Sequence, residues 1–223
     1  MQSADIRPIL DSELASAGVV LPAEAVDRLA SHARMVAKWN HAVRLVGSAE
    51  PAVLVKRHIL ESLAILPFIH EPRGALLDVG SGNGFPAIPL KCAQPDLRLA
   101  MMEPTVRKGV FLQNVIHELR LTDAMVIRGR VDSPNDLSRY GRWDCITMRA
   151  VAAIPAVLTG APAALRPSGR LFFLVGEAGR DQVLRQLHQS LTLLADTTLP
   201  GMKASFLLVI GMNSPGPVSP TVH

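Results

Sequence analysis

Residues 76–90 read LLDVGSGNGFPAIPL. The apolar run at 75–79 has the length and composition of a buried strand. Glycine then alternates at Gly80, Gly82 and Gly84, and residues 85–93 continue as a helix. Strand, glycine turn and helix in that order form the first βα unit of a nucleotide-binding sheet. The glycines let backbone approach a ligand where a Cβ would collide. Phe85 stands where the dinucleotide fingerprint places its third glycine, so NAD is not an expected ligand. Asp78 lies two residues before the first glycine, at the carboxyl end of the strand.

Beyond this unit, strands and helices alternate. Runs at 97–102, 124–128, 143–148 and 170–175 read as further strands, and 106–119, 154–165 and 180–191 as helices. The helix at 106–119 is the clearest, with Phe111, Leu112, Val115, Ile116 and Leu119 at helical spacing. The last two apolar runs, 193–199 and 205–210, are too close for a crossover helix and read as an antiparallel pair. The pattern is α/β: a doubly wound, mostly parallel seven-stranded sheet. Residues 1–70 read as helical. One helix starts at Leu21-Pro22 and aligns Val26, Leu29, Ala30, Ala33, Ala37 and Asn40 on one face. A second, 51–66, is ended by Pro67. The expected organisation is a helical extension at 1–70, a core at 71–211, and a proline-rich, disordered tail at 212–223.

The chain has 223 residues, of which 48% are apolar, enough for a sizeable core. No apolar run approaches a membrane span, and no signal-peptide pattern opens the chain, so a cytoplasmic protein without a membrane partner is expected. Cys92 and Cys145 give neither metal spacing nor a disulfide framework, which fits a reducing compartment. A net charge of +4 allows an anionic partner without demanding one.

In open parallel sheets, ligands bind outside the carboxyl ends of the strands, where strand order reverses. That edge collects 78–84, 103–108, 130–132 and 147–151. The pattern D-x-G-x-G-x-G resembles motif I of the class I S-adenosylmethionine-dependent methyltransferases. Glu103 follows Gly82 by 21 residues, close to the ~20 expected of an acid that accepts from ribose hydroxyls. Asp132 is a candidate for the adenine or amino-acid end, or a cap for the Pro134 turn. The candidate cofactor-binding set is Asp78, Gly80, Ser81, Gly82, Gly84, Phe85, Glu103, Arg130, Val131, Asp132 and Arg149. Candidate phosphate contacts are Lys56, Arg57, Arg107 and Lys108, with Arg128 and Arg130 beside them. His58, Glu61 and Ser62 either line the cofactor pocket or join helix to core. Arg149, the catalytic candidate, can orient a base or grip a phosphate, or else form an ion pair with Asp144 or another acid. After the fourth strand the chain reads TMRAVAA, without the [DNS]-P-P-[YFW] clamp of adenine amino-methyltransferases. Neither cysteine looks like an activated thiol. An already nucleophilic target, such as guanine N7, then needs alignment rather than a general base.

Four segments carry a closer resemblance: KWNHAVRLVGSAEPAVLVKRHILESLAI at 38–65, the motif I region through LRL at 119–121, GRVD at 129–132, and TMRA at 147–150. They resemble the RsmG/GidB family of bacterial small-subunit rRNA guanine-N7 methyltransferases. The resemblance implies a class I methyltransferase (Rossmann-like) fold with an N-terminal helical extension and S-adenosyl-L-methionine as cofactor. It also implies 16S rRNA or the small ribosomal subunit as substrate, for a cytoplasmic enzyme expected to be a monomer. The sequence departs from the family at Ala87, Met148, Val175 and Ser205, where glycine, serine, lysine and arginine are usual. A divergent methyltransferase acting on another RNA or a small molecule is the alternative reading, and a silent cofactor-binding interaction protein is a third.

Overall fold

A computed structural model of the chain describes residues 5–149, 153–199 and 205–213. The strands are β1 (Ala75–Val79), β2 (Arg98–Met102), β3 (Ala124–Ile127), β4 (Trp143–Arg149), β5 (Leu165–Gly176), β6 (Leu191–Thr198) and β7 (Ser205–Met212). They form one sheet in the order β3-β2-β1-β4-β5-β7-β6. The pairs among β1 to β5 are parallel, and β7 runs antiparallel between β5 and β6, as the short 6–7 connection requires. Strand order reverses between β1 and β4.

Every residue of β1 is buried, because helices cover both faces. Alternation sorts the side chains: Leu76, Met101 and Phe172 face one apolar cluster, and Leu77, Ile146 and Phe173 the other. The first cluster takes in α1 (Ile6–Ser16), α2 (Ala23–Val43), α5 (Ala87–Ala93) and α6 (Val106–Glu118). The helical extension thus shares its core with the sheet. The second cluster takes in α8 (Ile154–Ala164) and Val183 of α9 (Glu177–Arg185). Among the described residues, no helix is long and apolar enough to cross a membrane.

Several elements differ from the sequence reading. The helix at 51–66 is composite: α3 (Pro51–Val53), a π-helical stretch (Leu54–Leu60), α4 (Glu61–Leu63), and a separate 3-10 turn (Leu66–Phe68) that contains Pro67. The wider π winding is set by tertiary contacts described below, and apolar periodicity does not encode it. The helix expected at 180–191 spans Glu177–Arg185. The His188 ring captures the following backbone instead, with Ser190 N donating to Nδ1 at 3.2 Å, which turns the chain into β6. A short α7 (Asn135–Ser138), absent from the sequence reading, buries Leu137 completely, and its carbonyl accepts from Trp143 Nε1 at 3.1 Å. Of the tail expected to be disordered at 212–223, only Met212 and Asn213 lie within the described residues.

α8 approaches the α7 segment so closely that Gly160 has no room for a side chain: an added Cβ would stand 2.2 Å from the carbonyl oxygen of Pro134. Gly160→Ala is expected to lower stability by about 1–3 kcal/mol, through backbone displacement, as measured by urea denaturation.

Candidate active site

A crevice runs along the carboxyl edge of the sheet at the β1–β4 reversal. It has two lobes, of about 440 and about 770 Å³, and both are bordered by Gly80 and Pro104. The smaller lobe is a mostly apolar slot between Val79, Met102, Val131 and Ala156, with Arg130 and Asp132 on its rim. The larger lobe meets Ser81, Gly82, Phe85, Glu103 and Lys108 on one side, and Arg57, His58 and Arg149 on the other.

The turn between β1 and α5 is held from three directions. Gly80 N and Ser81 N both donate to the carbonyl of Met102, at 2.9 and 3.0 Å, which ties the turn to β2. Glu103 then accepts from Gly82 N at 2.9 Å and from Thr105 N at 2.8 Å, one bond on each oxygen. Each oxygen keeps a second lone pair for a ligand. From the helical extension, His32 Nε2 donates to the carbonyl of Asn83 at 2.9 Å, and Asn83 Nδ2 donates to the carbonyl of Leu45 at 3.1 Å. The glycines differ in their reasons. Gly82 (φ +54) faces open space. Gly84 (φ +85) packs so tightly that a Cβ would stand 2.7 Å from Ile88 Cγ1 and 3.1 Å from His32 Nε2. Gly82 therefore serves the crevice, and Gly84 serves the packing of the turn against α2.

Asp78 is fully buried and lines neither lobe. Its Oδ1 accepts from Thr147 Oγ1 at 2.7 Å, joining β1 to β4, and its Oδ2 has no partner. Burial pushes its carboxyl up to about 6. Phe85 sits between two imidazoles, His32 at 4.5 Å and His58 at 5.0 Å between ring centroids. Burial holds His32 at about 4. Burial, then the Arg149 and Arg57 charges, hold His58 at about 3, so both rings are neutral at ordinary pH. Burial pushes the Cys92 and Cys145 thiols to about 12, leaving them protonated.

Arg149 is half of a buried ion pair, and its acid is Glu61, with Nη2 to Oε2 at 2.6 Å. The sequence reading had named Asp144 as a possible acid, but Asp144 pairs with Arg166 at 2.8 Å. Nη2 also donates to the carbonyl of Arg57 in the π-helical stretch, at 2.7 Å. The remaining terminal nitrogen, Nη1, is shielded and has no partner among the described residues. Burial lowers the Arg149 pKa and raises that of Glu61, and in each case the partner's charge opposes the shift.

Other sequence candidates lie apart. Lys56 points to α1 and pairs with Glu13 at 3.1 Å. Arg107 and Gly84 border neither lobe. Arg130 pairs with Asp132 at 2.8 Å on the exposed rim. Asp136, not Asp132, caps the Pro134 turn, its Oδ2 accepting from Asp132 N at 2.9 Å and Ser133 N at 2.7 Å. Ser62 Oγ donates to the carbonyl of His58 at 2.5 Å and stays within its own helix. The sequence reading missed His32, Asn83 and the 45–48 loop. Asn83, set between two glycines, was the one available signal.

Residues 25–205 match the family model GidB, rRNA small subunit methyltransferase G. The chain belongs to this family. It is 31% identical over 220 residues to the ribosomal RNA small subunit methyltransferase G of Geobacter sp. (strain M21), which covers 96% of this chain and 100% of that one. The protein of the same name from Methylobacillus flagellatus is 37% identical over 145 residues, or 65% of this chain and 68% of its own. Among solved structures, the glycopeptide N-methyltransferase MtfA complexed with (S)-adenosyl-L-methionine gives a TM-score of 0.59 at 12% identity, over 70% of this chain and 94% of that one. The ribosomal protein L11 methylase from Lactobacillus delbrueckii subsp. bulgaricus gives 0.58 at 14% identity, over 70% and 77%. These two establish the class I methyltransferase fold.

The buried histidines set an acid limit. Unfolded imidazole takes its proton near 6.5 and His32 only near 4, so the unfolded chain binds more protons between those values and stability falls as pH drops. The slope for His32 alone is up to about 1.4 kcal/mol per pH unit, and His58 adds to it. Asp78 opposes it between 3.8 and about 6, because its contribution to stability is greatest when protonated. Urea midpoints are expected to fall from about pH 6.5 to about pH 4, and to fall less steeply in His32→Gln.

Proposed function

We propose that the chain is an S-adenosylmethionine-dependent methyltransferase that modifies guanine N7 in 16S rRNA, in the cytoplasm. The observation that carries this reading is the two-lobed crevice at the strand reversal, with Glu103 and Arg149 both in the wall of the larger lobe. The apolar slot between Val79, Met102 and Val131 suits an adenine ring, and the spare lone pairs of Glu103 suit ribose hydroxyls. The buried, half-satisfied carboxylate of Asp78 beneath the turn favours a cationic ligand above it. Bound S-adenosylmethionine supplies an electrophilic methyl group on a sulfonium.

The protein's own part is alignment. Guanine N7 carries a lone pair in the ring plane and no proton, so its methylation needs no general base. The protonated thiols, and imidazoles whose low pKa values make them weak bases, fit a site that removes no proton. Arg149 is held rigidly through Nη2 and lines the larger lobe, where its guanidinium is placed to orient a base edge such as that of guanine. Glu61 balances the guanidinium charge, so the arginine orients the base without adding a net cation where positive charge passes to the guanine. Arg57 and Lys108 line the same lobe and are proposed to contact flanking phosphates.

Arg149→Ala is expected to slow single-turnover methylation of rRNA roughly ten- to a hundredfold with cofactor affinity unchanged, and Arg149→Lys to rescue poorly. A wild-type rate in Arg149→Ala would leave the arginine a purely structural partner of Glu61.

Calorimetry tests the cofactor assignment. Gly82→Val puts a branched side chain at φ +54 facing the larger lobe and should abolish S-adenosylmethionine binding, and Glu103→Ala should weaken it. Wild-type affinity in both variants would refute the assignment.

A further inference from the structure

The face of the sheet that carries Leu77 and Ile146 is left open at the amino ends of β2 and β3. Ala100 and Ala75 belong to this face, and Met125 shares it with Ile127 two residues on, yet Met125 is 56% exposed. Around this floor lies a cleft of about 510 Å³, walled by Tyr140 and Trp143 and rimmed by Arg98, Arg142 and Arg166. It lies at the opposite end of the strands from the methyl-transfer crevice. The ion pairs at this end are Arg166 with Asp144 and Arg73 with Asp96; Arg98 and Arg142, both exposed, are in neither.

A flat apolar floor, an exposed aromatic wall and a guanidinium rim match the parts of a nucleotide: a planar base to stack and a phosphate to neutralise. Arg166 is neutralised by Asp144, and Arg98 and Arg142 stand against Asp123 on the lining, so the rim keeps a net positive charge that favours an anion. Tyr140 is 42% exposed, with the Arg139 guanidinium 5.9 Å from its ring centroid.

The cleft is connected to the proposed active site. Tyr140 also borders a cleft of about 450 Å³ that holds Arg128, Arg130 and Arg139. Arg130 in turn borders the smaller lobe of the crevice. Arginine-bearing clefts that share walls therefore run around the β3 edge from Arg130 to Arg142, the middle one also lined by Asp136 and by Asp132, which pairs with Arg130. The Tyr140 hydroxyl marks the junction, 3.7 Å from where a Cβ on Gly129 would stand.

We propose that this cleft is a second RNA-binding site, which holds an unpaired nucleotide of the same rRNA strand with its base stacked on Tyr140 and its phosphate between Arg98 and Arg142. The proposal rests on the rRNA substrate inferred above and extends its footprint from the reacting guanine to the far end of the sheet.

The test measures affinity for deproteinised small-subunit rRNA against salt in the wild type, Tyr140→Ala, Tyr140→Phe and the double variant Arg98→Ala, Arg142→Ala. A trinucleotide containing the target guanine and adenosine monophosphate serve as further probes. Loss of one stacked base should weaken rRNA binding roughly tenfold in Tyr140→Ala, and Tyr140→Phe should bind as the wild type does. The double variant should reduce the slope of log affinity against log salt by about 0.7, the value for one phosphate on a single strand. Cofactor affinity and trinucleotide binding should not change in any of them. Wild-type rRNA affinity and salt slope in Tyr140→Ala and the double variant would overturn the proposal and leave the assigned function standing. Adenosine monophosphate binding lost in Tyr140→Ala with rRNA affinity intact would make this a free-nucleotide site and overturn it as well. No rRNA binding by the wild type at any salt would defeat both the cleft and the proposed substrate.

Discussion

Buried polar groups are costly without partners, and the chain supplies several of these partners across the seam between the helical extension and the sheet. His32 on α2 bonds the carbonyl of Asn83 in the glycine turn, and Glu61 on α4 bonds Arg149 at the end of β4. The carbonyl of Arg57, in the π-helical stretch, takes a second bond from the same guanidinium nitrogen. Each would be costly to leave unpaired in this setting. The extension therefore fixes the shape of the turn and the far wall of the larger lobe. Neither half makes the larger lobe alone.

The same demand explains why the second helix is irregular. A π stretch shifts the side chains around the helix axis, and here it carries Arg57 and His58 to the wall of the lobe while Leu54, Val55 and Ile59 stay in the core. His58 then stacks on Phe85, the residue that replaces a dinucleotide-binding glycine. The aromatic at that position is a packing element between the extension and the turn. It forms part of the wall of the larger lobe.

Charge is distributed with similar economy. The end of β4 holds a cation, yet that cation is compensated from behind by Glu61. The end of β2 holds an anion whose oxygens are already bonded to backbone N–H groups of the two loops beside it. Both groups are thereby oriented before any ligand arrives, which lowers the cost of reorganisation on binding. Three of the family departures have visible settings: Ala87, Met148 and Val175 are buried, and Met148 and Val175 join the second apolar cluster. Nothing in the structure explains the replacement at Ser205.

Local composition determined much of this protein. The order of strands and helices, the antiparallel last pair, the glycine turn and the acid 21 residues on were legible because strand length, glycine spacing and crossover length are local properties. The partner of Arg149 was not legible. Asp144 and Glu61 are both acids, and only the packing of α4 against the sheet decides that Glu61 faces the guanidinium and Asp144 faces Arg166. The separate duties of Gly82 and Gly84, one open to the crevice and one pressed against α2, were equally hidden, because spacing records a backbone requirement and not what stands opposite it. The π winding and the loss of the last turns of α9 also depend on bonds to residues outside the element. Sequence period reports which face of an element is buried. What that face is buried against is fixed only when distant segments meet.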